Sequence, residues 1–252
     1  MSIKKIIIEV LCLTLSSAGI LFSQPLLTDQ DSTYKYKNEN FKCGLYEGTN
    51  TMPSAHLTDG MAIAQSMRSM SKITICVIGH SVPYTTFNGW DWSSAKSTYK
   101  LAANTNFVCG SVSAKMAWDW INEFNGSYKS IGGLAAGDIN VLVVQLTWAP
   151  FGGPDNYEMN TALSIKRDSM AHDLGRLAQN AKKNLPNLKM ILFEADPWQN
   201  AHEPYHAYHE WYFNRQVVLN QINGDTHIDL SYKGDNPKTV WLGLGGYWWQ
   251  NK

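Results

Sequence analysis

Net charge is missing from this chain. Lysine plus arginine number 21 and aspartate plus glutamate also number 21, so the formal charge is zero at neutral pH. No Lys/Arg run or basic stripe occurs, which excludes nucleic acid as the main partner, because phosphate binding needs clustered cations. Charged residues make up only 17% and hydrophobic residues 44%, which excludes a disordered chain and a coiled coil. Beyond the first two dozen residues no apolar run is long enough to cross a bilayer. Cysteine is sparse, four residues in all. No Cys/His spacing resembles a zinc site, and His206-x-x-His209 is too little to hold a metal. No metal and no cofactor is expected. Internal repeats and low-complexity linkers are also absent, so the chain reads as one domain with its own core.

The amino terminus stands apart. Lys4 and Lys5 precede a mostly apolar stretch from Ile6 to Phe22, and Ser23-Gln24 offers a cleavage point. This is the pattern of a secretory signal peptide over residues 1–23. Residues 24–42 are polar and read as an exposed leader, and 43–252 as a single α/β domain. The expected localisation is secreted or periplasmic, with no membrane span after cleavage. In an oxidising compartment Cys43, Cys76 and Cys109 allow one disulfide and one free thiol. Cys76 lies within an apolar run and reads as buried and free, and Cys43 with Cys109 is the pair to examine.

The run Ile73 to Ser81, Ile-Thr-Ile-Cys-Val-Ile-Gly-His-Ser, organises the rest. Branched apolar residues without alternation mark a buried parallel strand. Gly79 lets the chain turn sharply. Ser81 follows just past the strand's carboxyl end, where open α/β sheets place their ligands. A serine there is also a common turn or cap residue.

Further strands are expected at Asn106–Cys109, Val141–Leu146 and Leu188–Phe193. Helical patterns cover Leu57–Met70, Val112–Phe124, Asn160–Asn184 and Tyr208–Ile222. The third is closed by Pro186 and the fourth by Asn223-Gly224. Residues 82–104 read as an irregular aromatic connection. The tail from Trp241 to Trp249 shows no helical period. Strands alternating with helices imply a central parallel sheet covered on both faces.

The order of these pieces resembles the SGNH/GDSL hydrolase family, and more closely a group of secreted SGNH-like proteins of bacteria. The carrying residues are Gly44-Leu45-Tyr46 with Pro53 and His56, Gly79-His80-Ser81 with Phe87, and Leu185-Pro186-Asn187-Leu188. Glu203-Pro204-Tyr205, Gln221 to Asp225, and Trp241-Leu242-Gly243 with Tyr247 and Trp249 complete them. The resemblance spans most of 43–249. It implies a flavodoxin-like, SGNH-type three-layer fold and serine esterase chemistry. By position Ser81 matches the nucleophile, and Gly110 the glycine whose N–H helps bind the oxyanion.

Two family features are missing. The turn after Leu146 reads Thr147-Trp148-Ala149-Pro150, without the family's asparagine, and Pro150 has no N–H to donate. No Asp-x-x-His occurs, and Lys252 falls about where that segment begins, so the resemblance implies a C-terminally shortened domain. Replacement bases are His206, with Glu203 to orient it, and His56, with His202, His209 and His80 as further candidates.

Two functions follow. One is an exported esterase or acyl hydrolase, acting on acylated carbohydrate, with an incomplete or rebuilt triad. Ser81 attacks, a histidine removes its proton, and N–H donors hold the oxyanion. The other is a non-catalytic carbohydrate- or peptide-binding protein on the same scaffold. In either, His80, Trp148, Trp198 and Tyr205 are candidate substrate-binding residues, because ten tryptophans and twelve tyrosines include several in loops after strands, where flat rings suit sugars. The partner is a small-molecule or glycan substrate.

Overall fold

A computed structural model describes residues 44–80, 83, 84, 87, 93, 94, 97, 102–113, 115, 117–125, 130–146, 163–195, 205–225 and 227–245. For residues 117, 118, 125, 163–168 and 205–209 the description covers the backbone alone. Five strands and four longer helices lie among them: α1 Ser54–Met67, β1 Ile73–Gly79, β2 Thr105–Cys109, α2 Ala117–Asn125, β3 Val141–Gln145, α3 Leu163–Asn184, β4 Met190–Glu194, α4 Tyr205–Asn223 and β5 Trp241–Leu244.

The strands form one sheet in the order β2-β1-β3-β4-β5, and every pairing is parallel. This is the flavodoxin-like order, whose direction of growth reverses between β1 and β3. All five carboxyl ends lie along one edge. The four expected strands are present, with Ile73–Ile78 extended by Gly79 and the last beginning at Met190 rather than Leu188. The fifth comes from the tail. Residues 82–104 are less irregular than expected, since Pro83, Tyr84 and Phe87 are helical.

Side-chain alternation splits the core. Cys76 and Ile78, Leu142 and Val144, Ile191 and Phe193, and Leu242 face one side, where α2, α3 and α4 supply Trp120, Phe124, Leu174, Leu177, Trp211 and Val218. Ile73, Val141, Met190 and Trp241 face the other, against Met67 of α1. The result is three layers, and each face of the parallel sheet is covered as such sheets require.

Polar side chains set where the strands begin. Asn140 Oδ1 accepts from the Thr74 N–H at 2.8 Å, while its backbone N–H donates to Thr74 O and its carbonyl accepts from Lys189 N. One residue thus aligns the starts of β1, β3 and β4. Helix α4 ends where expected: Gly224 has φ 77°, a conformation open to glycine and favoured just past a helix end.

The edge strand β5 is held by Gln221 on α4. Its Nε2 lies within 3.0 Å of Leu230 O, Thr239 Oγ1 and Val240 O. Its Oε1 accepts from Leu242 N at 2.7 Å. A buried amide making these contacts fixes both the approach to β5 and its register. Replacement by Met, of similar length, leaves the Leu242 N–H and several carbonyls without these partners. Gln221→Met is expected to lower stability by about 3 kcal/mol, read from urea unfolding midpoints at unchanged slope.

Candidate functional site

The carboxyl edge of the sheet is the place to build a site, and β1 reaches it at Gly79. A Cβ on residue 79 would lie 2.2 Å from Gln145 O and 2.4 Å from Pro83 Cγ. The glycine is therefore demanded by close approach, not only by the turn. Its carbonyl accepts from the Val112 N–H at 3.1 Å and from Trp120 Nε1–H at 3.3 Å. Strand β3, the segment after β2, and α2 all converge on this one peptide. Gly110 is boxed in similarly, with Ile131 Cγ2 2.2 Å from where its Cβ would be.

Ser81, Trp148 and Trp198 lie outside the described residues. His80 follows Gly79, is buried, and its carbonyl accepts from Tyr84 N at 3.3 Å. The Gly110 N–H, which the family resemblance assigns to an oxyanion, donates here to Val77 O at 2.8 Å. Together with the Val112 bond to Gly79 this continues the parallel ladder three residues past β2. Tyr205 and His206 form the start of α4. That helix joins two parallel strands, so it runs back antiparallel to them and its first turn lies on the side of their carboxyl ends. His206 therefore shares an edge with Gly79.

His56 lies elsewhere. It is buried on α1 and stacks on Trp241, with ring centroids 4.8 Å apart. Its Nε2 is 2.7 Å from Leu242 O, and a carbonyl partner requires the proton on that nitrogen. Nδ1 faces Tyr232 Oη at 3.5 Å, but the tyrosine proton goes to Asp59 Oδ2 at 2.6 Å. Asp59 also pairs with Lys233. Those contacts, the Lys233 bond first and the Tyr232 bond next, hold the Asp59 carboxyl below its usual range. Strand β5 is three strands from β1, about 14 Å across the sheet. The structure brings His56 to that far strand as a link between α1 and β5.

Burial lowers the His56 imidazole from its ordinary 6.5, outweighing the Leu242 carbonyl and the Asp59 charge, which favour the charged ring. The unfolded chain then binds the proton more readily than the folded one. The His56 contribution to stability is full above the ordinary value and is lost as pH falls below it.

A cavity of about 550 Å³ opens beside the end of β1, lined by Val112, Ser113, Lys115, Asp119, Asn122 and Glu123. Lys115 Nζ pairs with Glu123 at 3.1 Å and lies 3.8 Å from the Trp120 ring centre, the same ring whose N–H reaches Gly79. Among the described residues no group of three or more His, Cys, Asp or Glu is placed to hold a metal, and no helix is long and apolar enough to cross a membrane.

Cys76 is buried and free, as expected. Burial pushes its thiol up to about 12. The pairing of Cys109 with Cys43 is not found: Cys109 is a free thiol, half-buried, 3.7 Å from Pro83 O, and Cys43 lies outside the described residues. At the end of β2 its side chain packs toward Pro83.

Two rim residues escape a reading of the sequence. Gln145 and Glu194 end β3 and β4 and stand in register with Gly79. The available signal was a polar residue closing an otherwise apolar parallel strand, Val-Leu-Val-Val-Gln and Met-Ile-Leu-Phe-Glu.

No family model matches the chain, and no curated protein matches it. Among solved structures, one described as "Crystal Structure of TesA" is similar at 18% identity, over 58% of this chain and 73% of that chain, with a TM-score of 0.35. The fold stands on the strand order and register themselves.

Two outcomes are expected from this geometry. Gly79→Ala forces β1 and β3 apart and is expected to cost about 1–3 kcal/mol, seen as a lower urea midpoint. The stability difference between wild type and His56→Gln is expected to be larger at about pH 7.5 than at about pH 5.5. Equal differences at both values would show that His56 does not titrate in this range.

Proposed function

We propose that the protein is an exported serine ester hydrolase whose nucleophile is Ser81. The observation that supports this most directly is the end of β1. Gly79 reaches the carboxyl edge at the strand-order reversal, its own peptide is clamped from three sides, and Ser81 follows it by two residues in sequence. A nucleophile is useful on a rigid mount at such a crevice, because misplacement by an ångström lowers the rate steeply.

The chemistry assigned to the site is acyl transfer. The Ser81 hydroxyl adds to the ester carbonyl and its proton passes to a base. The tetrahedral oxyanion collapses with release of the alcohol, which takes that proton. Water then hydrolyses the acyl-serine to the free acid and restores the hydroxyl. His206 is the base we favour, because α4 starts on the side of the β1 end whereas His56 is held at β5. The oxyanion donors are the backbone N–H groups of the Ser81 turn. Gly110 joins them only if its N–H leaves Val77 O.

The substrate class is an acylated carbohydrate or similar polar ester. The support is the lining of the cavity beside β1, where Ser113, Lys115, Asp119, Asn122 and Glu123 offer donors and acceptors next to an apolar wall of similar extent. Export rests on the pattern of residues 1–23. The alternative, a carbohydrate- or peptide-binding protein on the same scaffold, is favoured by one feature, the Gly110 N–H committed to the ladder.

Hydrolysis of p-nitrophenyl acetate by the purified chain tests the proposal. Ser81→Ala is expected to lower kcat/KM by about a thousandfold or more, and His206→Ala by a comparable factor, because members of one catalytic unit fail together. Turnover that Ser81→Ala leaves intact sinks the assignment. Absence of turnover, together with saturable glycan binding, establishes the binding protein.

A further inference from the structure

Among the described residues, the rim of the sheet carries a polar atom without a partner. Gln145, the last residue of β3, is 3% exposed, and its Oε1 is buried without a hydrogen-bond donor. The other end of the amide is placed: Nε2–H donates to Ala195 O at 3.1 Å. Ala195 is one residue past the end of β4, so this bond draws the amide head up to the carboxyl rim. It also settles which atom is which, since turning the amide over would set oxygen against a carbonyl oxygen. The atom without a donor is therefore an acceptor, on the strand that pairs with Gly79.

Such an acceptor weakens the fold, and native proteins hold few of them. Val141 and Val143, four and two residues earlier on the same face, show what packing there favours. A polar side chain in the next position of that row answers a demand other than packing. The location fits one: it adjoins the switch-point crevice, where ligands of such sheets bind.

We propose that Gln145 is a substrate-positioning residue whose Oε1 accepts a hydrogen bond from a hydroxyl of the bound ester. The proposal rests on the ester hydrolase reading and narrows its substrate class to esters that carry a free hydroxyl near the scissile bond, as partly acylated sugars and polyols do. A neutral acceptor at the rim rewards a hydroxyl donor and gives nothing to an alkyl chain. An alkyl ester leaves the acceptor unpaired, while a hydroxylated one completes it, and sites of this kind discriminate by that difference.

Two small esters isolate the effect. Propyl acetate and 2,3-dihydroxypropyl acetate differ only in two hydroxyls. Wild type is expected to show a kcat/KM about tenfold higher for the hydroxylated ester, and Gln145→Met is expected to bring the ratio of the two close to one. A wild-type ratio near one overturns the proposal without need of any variant. So does a ratio that Gln145→Met leaves unchanged, because a merely structural amide would lower both rates alike. Binding of 2,3-dihydroxypropyl acetate to Ser81→Ala, followed by NMR titration, separates this idea from the reading it rests on. No turnover by wild type, but binding weakened about tenfold when Gln145→Met is added, removes the hydrolase and keeps the role of Gln145. Turnover lost in Ser81→Ala with an unchanged substrate ratio keeps the hydrolase and removes that role. Neither turnover nor binding of the hydroxylated ester overturns both.

Discussion

The approach of β1 to β3 at the pair Gly79 and Gln145 is the constraint on which the site depends. The space between residue 79 and the Gln145 carbonyl has no room for even a methyl group. The same glycine's carbonyl receives the N–H groups of Val112 and Trp120. One peptide therefore ties together the two central strands, the segment leaving β2 and helix α2. The nucleophile proposed above follows this peptide by two residues in sequence, and catalysis by such a group needs reacting atoms held in place. The rim around it is polar in register, Gly79 beside Gln145 beside Glu194, whereas the rows behind it are apolar.

A second junction, at the far edge, serves stability. Gln221 ties α4 to the segment before β5 and to β5 itself. His56, Trp241, Tyr232 and Asp59 tie α1 to the same strand. Here the imidazole is a bridge between a helix and a strand carbonyl, and its buried ring favours the neutral form. The two junctions show how one residue type takes different roles. Histidine chemistry is set by which edge of the sheet the chain delivers it to, and the sheet order puts His56 three strands from β1 while α4 delivers His206 to the carboxyl side.

Much of the fold was legible because parallel strands announce themselves. Ile73–Ile78 and Val141–Leu146 are continuous branched runs, which only a strand buried on both faces requires. Strand β5 was not legible. Trp-Leu-Gly-Leu is short and broken by glycine, and it becomes a strand through the ladder to β4 and the bond from Leu242 N to Gln221. The start of α2 was misplaced toward Val112, since Gly110 to Val112 instead prolong the pairing with β1. Cys109 is a free thiol, and Cys43, the partner to examine, lies outside the described residues. The thiol count permits a disulfide, but where each sulfur points depends on the sheet face, and Cys109 packs toward Pro83.

By itself the sequence determined what repeats locally: the apolar runs of the central strands, the helices with their stops at Pro186 and Gly224, the near-neutral charge, and the glycine that closes the first strand. These follow from side-chain period and backbone freedom, which neighbouring residues along the chain settle among themselves. The tertiary structure decided whatever needed a partner distant in sequence. His56 and Leu242 meet across 186 residues, and Gln145 and Ala195 across 50. A histidine, a glutamine or a backbone N–H is equally competent as catalyst, clamp or cap until the donors and acceptors around it are placed, and only the folded sheet places them.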